Sequence, residues 1–150
     1  MKAILFIVNV LFFVSCNQSG KIDPEQLKQE VINADKAMSE QVARKGFNNS
    51  ILTYADSNIV KLEDGRLPVI GKMAFAASYN KDNDIKTISW SPVDAAVANS
   101  GELGYSWGNW KFVAKDTVYY GNYFTLWKKQ ADGNWKVLLD GGNNTPKPVE

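Results

Sequence analysis

Hydrophobic positions along this chain change their period, and each change marks a different kind of element. Ala3 to Val14 is an almost unbroken apolar run, interrupted only by Asn9. That run is shorter than the roughly twenty residues that cross a bilayer, but it suits the apolar region of a secretion signal. Asn17 to Ile22 is polar. Leu27, Val31, Ala34, Met38 and Val42 then recur every three or four positions, which is one face of an amphipathic helix. Asp23 offers an N-cap, Pro24 suits the first turn, Gln26 stands where a capping box takes Glu or Gln, and Gly46 ends the helix. A second helix is expected over Phe47 to Ala55 and a third over Gly71 to Tyr79.

Between these helices, Ile59 to Leu62 reads as a short strand that turns at Glu63-Asp64-Gly65-Arg66 and returns through Leu67 to Ile70. From Lys86 onward the pattern predicts four strands, Lys86–Val97, Leu103–Val113, Val118–Lys129 and Asn134–Asp140. The last two are joined by Ala131-Asp132-Gly133, a strong hairpin signal. Helices first and an antiparallel meander second give the α+β class. The expected organisation is a signal segment over 1–15, a spacer over 16–22, one domain over 23–143 and a polar tail over 144–150. Both faces of the predicted sheet are apolar. Tyr123, Thr125 and Trp127 alternate with Phe124 and Leu126, and Trp135, Val137 and Leu139 oppose Leu138. Helices can cover one face, and a second subunit covering the other predicts a homodimer through the sheet.

The apolar run ends in Phe13-Val14-Ser15-Cys16, and Cys16 is the only cysteine. This stretch resembles the lipobox of bacterial lipoproteins, with Phe13 where leucine is usual. The resemblance implies cleavage before Cys16, a lipid on its sulfur and attachment to a membrane of the cell envelope. Asn17 in place of aspartate points, by the same resemblance, to the outer membrane and the periplasm.

Composition narrows the chemistry. The chain has 17 basic and 16 acidic residues, and cleavage would remove one base, Lys2, leaving the rest neutral. There is no basic footprint for nucleic acid. Histidine is absent, which removes the commonest general base, the commonest metal ligand and every Ser-His or Cys-His nucleophile. No metal or cofactor is expected. Carboxylates, tyrosines, lysines and tryptophans remain.

Three stretches, Ala34-Asp35-Lys36-Ala37-Met38, Tyr54-Ala55-Asp56 and Gly104-Tyr105-Ser106-Trp107-Gly108-Asn109-Trp110, lead to a fourth over 123–140 that closes on Asn134-Trp135-Lys136-Val137-Leu138-Leu139-Asp140. In order and spacing they resemble the SnoaL-like branch of the nuclear transport factor 2 and ketosteroid isomerase superfamily, from about Pro24 to Asn143. The resemblance implies a cone-shaped fold, with a curved antiparallel sheet wrapped on a long first helix, two further short helices, a pocket at the open end and frequent homodimers. It also locates the isomerase machinery. The carboxylate base would fall on Leu62, and the oxyanion donors near Met38 or Ser39 and on Thr125, so none of the three groups is retained.

Two acids are the remaining candidates for chemistry. Asp35 lies at the margin of the apolar stripe of the first helix, either as a polar anchor or base at the pocket or hydrogen-bonded to backbone or to a sheet tryptophan or tyrosine. Asp140, which by the family register shares a face with Leu138, either converges with Asp35 on the cavity or caps a turn at Gly141-Gly142. Tyr105, Trp107, Tyr123 and Trp127 are the candidate pocket wall, completed by Met38, Tyr54, Thr125 and Leu138, while Trp90, Trp110 and Trp135 are assigned to packing. The favoured expectation is a membrane-anchored domain that binds a small apolar or aromatic ligand without catalysis. The alternatives are an isomerase, dehydratase or polyketide-cyclase type of enzyme using Asp35 or Asp140, and a dimeric adaptor.

Overall fold

The structure, a computed structural model, describes residues 23–148; the apolar run, the lipobox and Cys16 lie outside the described residues. Helix α1 (Pro24–Glu40) begins as its sequence predicts. The Asp23 carboxylate accepts from the Glu25 backbone N–H at 3.0 Å, and Pro24 sits in the first turn. The expected helix through Val42 breaks at Gln41, so Val42–Lys45 forms a separate turn, α2. Gly46 follows at φ 91°, a conformation that favours glycine, and opens α3 (Phe47–Tyr54). Gly46 has no side chain to cap α3, and Asp84 does so from a distance, accepting from the Asn48 and Asn49 N–H groups at 3.2 and 2.7 Å.

The chain then forms β1 (Ala55–Lys61), β2 (Val69–Ile70), α4 (Lys72–Ala77), β3 (Ile88–Val97), β4 (Leu103–Val113), β5 (Val118–Lys129) and β6 (Trp135–Thr145). One six-stranded sheet results, ordered β2-β1-β6-β5-β4-β3. All pairings are antiparallel except β1 with β6, which run parallel and so bring the first and last strands side by side. The sheet curves around α1, which buries Leu27, Val31, Asp35 and Met38 against it. Val31, Ile51, Ile59, Trp127 and Val137 form the heart of the core. The α+β class is as the pattern predicts, and the long first helix on a curved sheet is as the family resemblance implies.

Three expectations about the strands require correction. The last strand does not end at Asp140. It continues to Thr145, which pairs with Tyr120, so the predicted Gly141-Gly142 turn and the start of the tail are strand. Two glycines and two asparagines carry no strand signal of their own, and the partner strand β5 imposes the conformation. Secondly, Tyr105 and Trp107 do not share a face with Tyr123 and Trp127. The register sets Ser106 opposite Thr125 and Gly108 opposite Tyr123, and directly opposed residues project to the same side. Tyr105 and Trp107 therefore point outward, 50% and 42% exposed, beside Phe124. Thirdly, Leu138 does not share a face with Asp140. The pairing steps from Trp127–Val137 to Leu126–Leu139, so Leu138 is the extra residue of a β-bulge. The bulge shifts alternation by one, and Val137 and Asp140 both end up buried.

Candidate functional site

A hollow of about 220 Å³ opens beside the N-terminal end of α3 and the ends of β1 and β4, walled along one side by β6. Aromatic and aliphatic side chains make its walls: Phe47 and Ile51 from α3, Ile88 and Trp90 from β3, Trp110 from β4 and Tyr123 from β5. β6 contributes Asp140 to Asn144, and Leu62, Glu63 and Asp64 on the turn after β1 complete the lining. The small inner-face residues of β4, Ser106 and Gly108, leave room for the rings of β5 and β3 beside them.

One ion pair is set into this apolar lining. Lys61 ends β1 and Asp140 lies opposite it on the parallel neighbour β6. The Lys61 Nζ donates to Asp140 Oδ1 at 2.6 Å, and Thr125 Oγ1 donates to Asp140 Oδ2 at 3.1 Å. Lys61 is only 5% exposed, and its ammonium also stands 5.2 Å from the Phe47 ring centroid, within cation–π range. Each charge meets the desolvation cost of the other by direct pairing, the condition under which buried ions are tolerated.

A second polar cluster lies behind the wall. Asp35 is fully buried, with its carboxylate accepting from Trp90 Nε1 at 2.7 Å and from the Tyr123 hydroxyl at 2.8 Å. The Ser106 hydroxyl, which accepts from Trp127 Nε1 at 2.8 Å, completes the set around that carboxylate. Burial is the strongest influence on Asp35 and raises its pKa; the hydrogen bonds from Ser106, Trp90 and Tyr123 oppose it, and the charge of Asp140 adds to the rise. Burial likewise pushes the Tyr123 phenol far up, reinforced by the charge of Asp35 and the hydrogen bond to it, so Tyr123 stays protonated and donating. Asp35 thus holds two rings of the hollow in place without lining it.

The remaining predicted site residues fall as follows. Tyr123 and Asp140 line the hollow. Thr125 touches it through Asp140. Met38 and Trp127 are core. Tyr54 accepts from Gln41 Nε2 at 3.1 Å, meets Trp127 edge to face, and has its pKa raised by burial. Asp35 and Asp140 share the interior but no hydrogen bond joins them. Trp90 and Trp110, expected to serve packing alone, are walls of the hollow. Trp135 does pack, donating to Glu30 Oε2 at 3.0 Å. Lys61 escaped prediction although a signal was present. In Ile59-Val60-Lys61, alternation puts the lysine on the same inward side as Ile59.

No protein-family model matches the sequence, and no curated protein sequence does. Solved structures do match the fold. A protein of unknown function from Pseudomonas putida, described as nuclear transport factor 2-like, aligns with a TM-score of 0.64 at 14% identity, over 79% of this chain and 86% of its own. A similarly described protein from Shewanella oneidensis gives 0.61 at 15% identity, over 76% and 96%. A ketosteroid isomerase-like protein from Erwinia carotovora gives 0.57 at 14% identity, over 77% and 95%. The fold is the nuclear transport factor 2-like fold.

Within this fold the positions that the isomerase resemblance marks can be read directly. Leu62, at the base position, contributes an apolar surface to the hollow. Ser39 donates its hydroxyl to the Trp90 carbonyl at 2.8 Å, and Thr125 is committed to Asp140. On this nuclear transport factor 2-like fold the polar centre of the hollow is made by Lys61 and Asp140. Among the described residues no group of three acids, histidines or cysteines is arranged to hold a metal, and no helix is long and apolar enough to cross a membrane.

Proposed function

We propose that this chain is an envelope lipoprotein, anchored through a lipid on Cys16 at the periplasmic side of the outer membrane. Its domain holds a small, mostly apolar molecule in the hollow without converting it. The observation that carries the binding reading is the composition of the hollow, aromatic and aliphatic walls around one mutually neutralised ion pair. Its size favours a modest ligand. About 220 Å³ is below the roughly 300–1,000 Å³ of drug-sized sites, which suits one or two rings better than a four-ring skeleton. Support for binding over turnover comes from Leu62 at the base position and from Asp140, whose two oxygens are both engaged.

The test is to purify the full-length protein from the envelope fraction and identify small molecules released on denaturation. A Leu62→Trp variant, which fills the mouth, is the control. A molecule present in the wild type and lost in the variant is expected. No released molecule, together with no saturable uptake of one- and two-ring aromatic probes, would refute the reading. Labelling with a fatty-acid analogue, lost in Cys16→Ala, tests the anchor.

A second reading, proton transfer by Asp140, is favoured by one observation: the carboxylate lies in the wall of the hollow, where a bound molecule would meet it. Exchange of the acidic C–H protons of a ketone probe in D2O, abolished by Asp140→Asn, would favour it over simple binding. The exposed outer face of the sheet, with Tyr105, Trp107 and Phe124, supports a homodimer through that face.

A further inference from the structure

We propose that the hollow selects neutral one- or two-ring aromatic molecules bearing a hydrogen-bond acceptor oxygen, and that Lys61 is the group that receives that oxygen. This deepens the binding reading and rests on it. An ammonium carries three N–H donors. One goes to Asp140 Oδ1, and the Phe47 ring lies in cation–π range. No further acceptor reaches Nζ among the described residues, so donor capacity is left over at an atom set in an apolar wall. An oxygen entering between Trp90, Trp110 and Phe47 finds a charge-assisted donor there, stronger than a neutral one.

The charge balance of the lining selects against anions. Among the described residues Lys61 is its single cation, set against Asp140, Glu63 and Asp64. Asp140 already neutralises Lys61, and Glu63 is itself paired with Arg66 at 3.0 Å, which leaves Asp64 uncompensated at the mouth. A carboxylate ligand would lose its hydration and gain no unpaired cation in return. A carbonyl or ether oxygen avoids that cost. The walls are equally plain about the remainder of the molecule, since flat rings stack on tryptophan and tyrosine faces.

Three matched probes separate these ideas by equilibrium dialysis on the full-length protein: naphthalene, 2-acetylnaphthalene and 2-naphthoate. The ketone should bind roughly tenfold more tightly than naphthalene, the gain of one hydrogen bond to a charged donor, and the carboxylate more weakly than the ketone. Lys61→Met would leave Asp140 unpaired, so the shape-conserving double change Lys61→Met with Asp140→Asn is measured beside it. In the double variant the ratio of ketone to naphthalene affinity should fall, because the amide introduced at position 140 is only a neutral donor. Asp140→Asn alone should improve 2-naphthoate, because Lys61 is then free to meet an anion. If naphthalene and the ketone bind equally to the wild type, or the affinity ratio is undiminished in the double variant, the role of Lys61 is overturned while the hollow stands. Tighter binding of 2-naphthoate than of the ketone to the wild type overturns the neutral class. If none of the three probes binds, the hollow itself is not a ligand site.

Discussion

Asp35 offers the sharpest test of how the interior is held together, because two substitutions at this position should behave in opposite ways. Its carboxylate accepts from Trp90 Nε1 and the Tyr123 hydroxyl, and it is fully buried with no cation bonded to it among the described residues. Asp35→Ala strands an indole N–H and a phenol O–H away from bulk solvent. At about 1–3 kcal/mol for each unpaired group, the loss should total roughly 2–6 kcal/mol, a large share of a stability of about 5–15 kcal/mol. Asp35→Asn keeps an oxygen for the indole, which can only donate. Its amide N–H can donate to the phenol once that hydroxyl turns round. No charge is then buried at this position, so Asn should cost little at neutral pH or should stabilise. The pH dependence follows with a definite sign. Folded Asp35 keeps its proton to higher pH than the unfolded chain, whose carboxyl titrates near about 3.9. Its favourable contribution is therefore complete below that pH and is lost as pH rises through the raised folded value. Urea denaturation of wild type, Asp35→Asn and Asp35→Ala across pH 4 to 8 measures all of this. Wild type should fall relative to the asparagine variant as pH rises, with the alanine variant lowest throughout. If the asparagine variant is as unstable as the alanine variant at every pH, the carboxylate charge itself is required and the account from burial is wrong.

Three further outcomes are expected. Lys61→Met should cost about 3–5 kcal/mol in urea denaturation by leaving Asp140 charged and unpaired, and adding Asp140→Asn should recover most of it; equal losses in the single and double variants would show that the pair itself is not what matters. Gly108→Ala should destabilise by about 1–3 kcal/mol, because its methyl would press on the Ser91 carbonyl oxygen and lie 2.9 Å from Pro92 Cα, backbone atoms that cannot step aside; an unchanged denaturation midpoint would refute that packing. Trp107→Glu combined with Phe124→Glu should turn a dimer into a monomer by light scattering while circular dichroism stays that of the wild type, and a wild-type protein that is monomeric at tens of micromolar would remove the dimer proposal.

What the sequence revealed of this fold follows from which signals are local. The start of α1 was legible because Asp23 and Pro24 act within one turn, and the strands β3 to β5 because their apolar runs end at turn residues. The failures share one cause, since strand faces are decided by pairing. Reading Tyr105 and Trp107 with Tyr123 and Trp127 assumed a register one residue away from the real one, and a slip of one inverts every side chain. The end of β6 was invisible for a related reason. Gly141, Gly142, Asn143 and Asn144 have low strand propensity and are held extended by Phe124 to Gly121 across the ladder.

The candidate site shows how such a non-local effect can also produce chemistry. Strict alternation along β6 from Trp135 and Val137 would turn Asp140 away from those two buried residues. The bulge at Leu138 adds the one residue that brings it back, opposite Thr125. Parallel pairing then places Lys61, 79 residues earlier in the chain, beside it at 2.6 Å. Neither residue carries a motif, and a lysine or an aspartate at a strand end ordinarily reads as a solvated charge. Their meeting depends on three pairings at once: β1 with β6, β6 with β5, and the bulge between. An ion pair that needs so much of the sheet to be in register cannot be read from spacing. For the same reason, its charges can persist in an apolar wall only while that register holds.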